Sequence, residues 1–269
     1  MRASVVIRSM SRGRRIRRLV VPLLSIVGGL ALWQIVISLF RPNELAVVGP
    51  VRIAHDAADL YSAGTLGPDI GVSLVQLLAG LAVAVVAGVL TGLLLGTKRW
   101  LASAVGPWVT ALYTIPVIAV APLIIVGLGL GTTAKIVIVA ASGFFPVAIN
   151  TQAGAATVVD GGLRDVTRAF RANSLETLWF LTVPGTVPFI LTGIRLAIGR
   201  ALIALVAADL FGSTSGLGYL IISGQQNLKT DDVYVGVVTL SLIGIVFTAF
   251  VAFFERRMSA ARSGRMDHA

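Results

Sequence analysis

Ile70–Thr97 reads IGVSLVQLLAGLAVAVVAGVLTGLLLGT, an unbroken run without a charged residue. A helix needs about 20 apolar residues to cross the ~30 Å hydrocarbon core of a bilayer, so this run predicts a membrane-spanning helix. Working outward, comparable runs occur at Leu19–Phe40, Val105–Leu130, Thr132–Thr151, Val183–Phe211 and Val233–Phe254. The first of these, LVVPLLSIVGGLALWQIVISLF, exceeds the ~7–15-residue apolar region of a cleavable signal peptide and reads as a retained anchor. The chain is 56% hydrophobic and 13% charged, against about 45–50% and ~25% in soluble domains, which excludes a soluble globular class. The expected fold is an all-α polytopic membrane protein with about six transmembrane helices. A basic segment over 1–18 would precede the spanning region 19–254, and a polar tail over 255–269 would follow it.

The charge distribution orients these spans. Most of the 22 Lys and Arg fall in the N-terminal segment, at Lys98 and Arg99, at Arg164, Arg168 and Arg171, and in the C-terminal tail. Short cytoplasmic loops are enriched in Lys and Arg, so both termini and the 154–182 loop are expected in the cytoplasm. The net charge of +10 is then chiefly an orientation signal with an added attraction to anionic membrane lipid. Nucleic acid is not an expected partner, because the basic residues flank apolar spans and lack interleaved aromatics. There is no cysteine, and the histidines are His55 and His268, so a metal site and a catalytic role for this chain are not expected.

Within the spans, Gly80, Ala84, Gly88, Gly92 and Gly96 recur at every fourth position and share a helix face. Small residues permit close helix approach, either inside the chain or against a second subunit, and packing inside the chain is the favoured reading. The third span holds Pro107, Pro116 and Pro122, which predict a kinked or interrupted helix. Broken helices are tolerated at membrane depth against protein or a wet cavity, which makes Pro116 and Pro122 candidates for a translocation path. Arg195, Arg200 and Asp209 lie inside the fifth span. Charges there face a bundle interior, a partner or a water-filled route, so two readings stay open: an anion path, or ion pairs that hold helices together.

The 154–182 loop has helical texture: Leu163, Val166, Ala169 and Phe170, then Leu175, Leu178, Trp179 and Thr182, follow spacings of three and four. Asn173 or Ser174 would cap the second of two short helices. At this loop the chain resembles the inner-membrane permease subunits of binding-protein-dependent ABC importers. Their pattern is Glu-Ala-Ala, three residues, Gly, nine residues, then Ile-x-Leu-Pro. Counting back from Pro184 puts the family's Glu at Asp165, its alanines at Val166 and Thr167, its Gly at Arg171, its Ile at Leu181 and its Leu at Val183. The spacing and apolar character agree; the identities differ, most visibly at Arg171. The blocks Ser73–Gly96, Thr114–Ile136, Gly143–Gly154, Pro184–Leu210 and Gly216–Ile221 are similar to the nitrate, sulfonate, taurine and bicarbonate branch.

The resemblance implies a partnership. The chain has no Gly-Lys pair and hence no P-loop, so ATP-Mg would be bound by a separate ATPase, and this chain would need no cofactor of its own. Two ATPase copies, a second permease subunit (identical or related) and an extracytoplasmic substrate-binding protein are the implied partners, in a bacterial plasma membrane. The coupling surface carried over from the family is Asp165, Val166, Thr167, Ala169, Phe170, Arg171, Ala172, Leu175, Leu178 and Trp179. A self-sufficient secondary transporter or channel is the alternative, and it would show inverted repeats or several intramembrane acids. On the side expected to face outward, Val51, Ala54, Ala58 and Tyr61 give a weak amphipathic period after Pro50, which predicts a short helix lying on the surface.

Overall fold

Gly92 and Gly96 stand so close to a neighbouring helix that a Cβ on either would come within 2.5 Å of the side chain of Thr151 or Ala155. The small-residue face therefore packs inside the chain. In the computed structural model, which describes residues 3–40, 43, 46–160 and 173–266, every regular element among the described residues is a helix. These are α1 (Ala3–Phe40), α2 (Pro50–Ser62), α3 (Leu66–Thr97), α4 (Arg99–Tyr113), α5 (Val117–Leu128), α6 (Thr132–Asp160), α7 (Ser174–Thr177), α8 (Val183–Asp209), α9 (Leu217–Gln226) and α10 (Thr230–Met266). A π-helical turn, Leu178–Thr182, joins α7 to α8.

Along the α3 face, Gly80 meets Val139, Gly88 meets Val147, Gly92 meets Thr151 and Gly96 meets Ala155, so α3 and α6 run parallel in register. Ala84 opposes Gly143 of α6. The other side of α6 meets α8, where Gly193 sits against the Pro146 carbonyl and Gly154 against Phe189. Leu77, Val139, Val147, Ala201, Leu205, Leu217 and Val235 make the core that α3, α6, α8, α9 and α10 share. Outward from this core the surface stays apolar: Val83, Val86 and Leu90 of α3 and Ile245, Val246 and Phe250 of α10 are all more than half exposed. Such a girdle is costly in water and is suited to lipid.

Among the described residues, four helices are long and apolar enough to cross a membrane: Leu66–Thr97, Thr132–Val159, Leu175–Asp209 and Thr230–Met258. The expected third span is two helices, α4 and α5, which meet at a bend of 96°. Pro116 makes the break. It has no N–H, and its φ of −63° with ψ of 118° caps α5 in an extended conformation. Pro107 and Pro122, by contrast, lie inside helices. With the apolar part of α1, Leu24–Phe40, these elements account for the expected stretches.

Three boundaries differ from expectation. α6 runs on to Asp160, so the start of the 154–182 loop is helix. α1 begins at Ala3 and α10 continues to Met266, which makes the basic segment over 3–18 and most of the expected polar tail helical. Arg, Met and Ala are strong helix formers, and each segment extends a helix already nucleated by its apolar part. On α2, the short helix expected after Pro50, Val51, Ala54, Ala58 and Tyr61 are exposed. Ile53 is buried instead, with Ala57 and Leu60 packed beside it, because these give the larger apolar side chains to the core around Val48 and Leu66. Arg52 fixes that rotation through Asp231 of α10 at 2.8 Å.

Candidate functional site

The charged side chains predicted within the spans separate into three environments. Asp209, the last residue of α8, has a fully buried side chain and pairs with Lys135 of α6, Nζ to Oδ1 2.6 Å. Lys135 also donates to Ser213 Oγ, whose hydroxyl donates to the Ser215 carbonyl at 2.7 Å. The turn that follows is pinned to α3: the Gly216 N–H donates to Asp69 Oδ1 at 2.7 Å and the Leu217 N–H to Ser73 Oγ at 2.8 Å. Gly216 needs its left-handed φ of 107°, and Gly218 leaves room for the Asp209 carboxylate, which a Cβ there would approach to 2.3 Å. α9 thus begins directly on a buried carboxylate, a favourable end for its dipole.

Arg195 of α8 pairs with Glu255 of α10. The alternative of an Arg–acid pair is what this residue adopts, with Glu255 rather than Asp209 as partner. Arg200 is placed differently. Its guanidinium lies over the ring of Tyr113, Cζ to centroid 4.0 Å, and its backbone carbonyl accepts from Ser142 Oγ at 3.2 Å. Tyr113 is the last residue of α4, immediately before the break at Pro116, and its ring is 6.3 Å from that of Phe145. The structure therefore brings Arg200 to the same broken span as Pro116, and takes Arg195 and Asp209 to separate ion pairs. Pro122 lies one turn into α5, beside the fully buried Ala121, and α5 packs there on Ile138, Ala204 and Ala208.

Sequence reasoning missed Lys135, Glu255 and Tyr113. The signal for the first was available: Lys135 falls in the first turn of an apolar run, and a charge in that position needs a partner. Glu255 was assigned to the tail because the span was ended one residue short of it.

At the opposite end of the bundle from Asp209, the chain re-enters through α7. Asn173 is its cap: Oδ1 accepts the N–H groups of Leu175 and Glu176 at 2.7 and 3.0 Å, while Glu176 Oε2 accepts the Asn173 N–H at 2.7 Å. This reciprocal box satisfies donors that a helix start otherwise leaves open. Asn173→Ala is expected to cost about 1 kcal/mol and to raise amide exchange at Leu175 and Glu176, read by hydrogen–deuterium exchange. The π turn has a local cause. Pro184 cannot donate to the Phe180 carbonyl and its ring crowds that oxygen, so the chain widens, and the Val183 N–H reaches back to Leu178. Leu175 and Trp179 are each 65% exposed and Phe180 is 83% exposed, while Leu178 is half-buried. Asp165, Val166, Thr167, Ala169, Phe170, Arg171 and Ala172 lie outside the described residues.

On α2, His55, Asp56 and Asp59 bring ligand atoms within 4.8 Å of one another, and His55 Nδ1 already lies 3.1 Å from Asp59. Burial, and then the charge of Asp231, push the Asp56 carboxyl above the ordinary carboxylate range, against the pull of Arg52.

The described helices form a membrane-crossing bundle with one broken span and Arg200 well inside it. Residues 84–260 match the model for the binding-protein-dependent transport system inner membrane component, and the chain belongs to that family, the permease subunits of ABC importers. It is similar to a Bacillus subtilis protein that carries the name of an aliphatic-sulfonates transport permease, with 31% identity over 85% of this chain and 83% of that one. It is also similar to the taurine transport system permease of Escherichia coli, 29% identical over 88% and 86% of the two chains. The nitrate import permease of a Synechocystis strain is 27% identical, over 87% of each.

Proposed function

We propose that this permease forms half of the translocation path of an ATP-driven importer for a small anion, such as a sulfonate, nitrate, bicarbonate or carboxylate. The α7 end faces the cytoplasm with both termini, and the Asp209 end faces the extracytoplasmic binding protein. The chain does no chemistry itself; ATP-Mg sits on two copies of a separate ATPase. A second permease subunit, identical or related, supplies the other half of the path. The substrate class is supported by the names of the sulfonate, taurine and nitrate relatives. The observation that carries the coupling is the apolar tip at Leu175, Trp179 and Phe180. Large apolar side chains exposed in the first turns of the Leu175–Asp209 span, next to its capped start, suit a groove on another protein, where an aromatic often supplies much of the binding energy. The family's coupling pattern also falls on Asp165 to Ala172, which lie outside the described residues.

Trp179→Asp tests this reading. It is expected to abolish co-purification of the ATPase and to lower uptake about tenfold or more, with the permease still folded by size-exclusion profile. Full ATPase binding and undiminished uptake in this variant would remove the coupling role, and uptake that persists without any ATPase would replace the importer with a secondary transporter.

A further inference from the structure

We infer that Arg200, stacked on Tyr113, is the anion-binding station of the path. The inference rests on the import of a small anion and names the side chain that receives it. Three cations lie within or at the ends of the spanning helices α6 and α8, and two are neutralised: Lys135 by Asp209 and Arg195 by Glu255. Among the described residues no carboxylate pairs with Arg200. Arg200 is also far from either helix end, about 26 Å along the axis from Val183 and about 14 Å from Asp209 at 1.5 Å per residue.

An unpaired guanidinium at that depth cannot face hydrocarbon cheaply, yet Arg200 is exposed in the single chain, between exposed Leu196 and Ile203 one turn to either side. Its face therefore meets water or another subunit. The contact with Tyr113 favours the wet route. With Cζ 4.0 Å from the ring centroid, a cation–π contact holds the guanidinium without neutralising its charge. The N–H fork of a guanidinium matches two oxygens of a sulfonate, nitrate or carboxylate. The ring also holds the arginine beside the end of α4, three residues before the break at Pro116. A mobile anion supplies the charge that no described side chain supplies, and it can leave again because nothing else must be broken. Lys135 and Arg195 would have to surrender buried or half-buried partners to do the same.

The test uses the whole importer, with ATPase and binding protein, in proteoliposomes supplied with labelled ethanesulfonate, taurine or nitrate. Because the binding protein sets the half-saturating concentration, Arg200→Gln is expected to leave it unchanged and to lower the maximal uptake rate about tenfold to a hundredfold. Assembly and ATPase activity without substrate should persist. Arg200→Lys keeps the charge and should retain an intermediate rate; Tyr113→Phe keeps the ring and should stay near wild type, whereas Tyr113→Leu should not. Wild-type uptake by Arg200→Gln would overturn the station while leaving the import reading intact. Loss of assembly in both Arg200→Gln and Arg200→Lys would overturn it in favour of a contact to the second subunit. A wild-type importer that carries none of these compounds, nor labelled bicarbonate or benzoate, would overturn both this inference and the proposed substrate class.

Discussion

Lys135→Met is expected to destabilise the permease by about 3–5 kcal/mol, a large fraction of the stability of most folds. The reason is what the substitution leaves behind. Asp209 has no exposed side-chain surface, and its carboxylate would remain at the end of α8 with its ammonium partner gone. Ser213 would lose the same donor, and the turn that positions Gly216 against Asp69 would lose the element that closes it. The double variant Lys135→Met, Asp209→Asn removes both charges and should recover most of the loss, because a neutral pair carries no ionic desolvation penalty. Melting of the detergent-solubilised protein, followed by the fraction surviving size exclusion after heating, gives the cycle. With Asp209→Asn alone as the fourth corner, a double-variant loss equal to the sum of the two single losses would show that the ion pair contributes no coupling.

Gly92→Val should be nearly as damaging, at about 3 kcal/mol or more. The added Cβ would fall 2.5 Å from Thr151 Cβ and 2.6 Å from the Ala148 carbonyl oxygen. A side chain can turn away, but a backbone oxygen moves only with its helix, so α3 and α6 must separate. The separation spreads along the register, since Gly88 and Gly96 make the same kind of approach one turn away. Dispersion falls steeply with distance, and among membrane helices it is a main source of association. Gly71→Ala, on the same helix with nothing within 4 Å of the new Cβ, is the control and should be neutral or slightly stabilising. The same melting assay separates the two, and equal melting temperatures would refute the close approach.

These residues also show how far the sequence could be read. The four-residue period from Gly80 to Gly96 was visible as a face, but nothing local said that α6 would cover it. Pro116 announced a break, since a missing N–H is a property of the residue itself; the 96° bend depends on what α5 packs against. On α2 the apolar period gave the helix, while the burial of Ile53 with Leu60 was settled by the neighbours around Val48 and Leu66. Arg195, Arg200 and Asp209 stood out for their cost at depth, while their environments did not.

The sequence by itself determined the approximate extent of the apolar stretches, the asymmetry of basic charge between their ends and the absence of a nucleotide-binding loop. Partitioning between water and lipid sums over consecutive residues, so a one-dimensional reading recovers it. Only the tertiary structure decided that Lys135 belongs to Asp209, that Glu255 belongs to Arg195 and that Arg200 is left with an aromatic ring. Coulombic and stacking interactions act over a few ångströms between residues far apart in the chain, and which charges come within that range is fixed by helix packing alone.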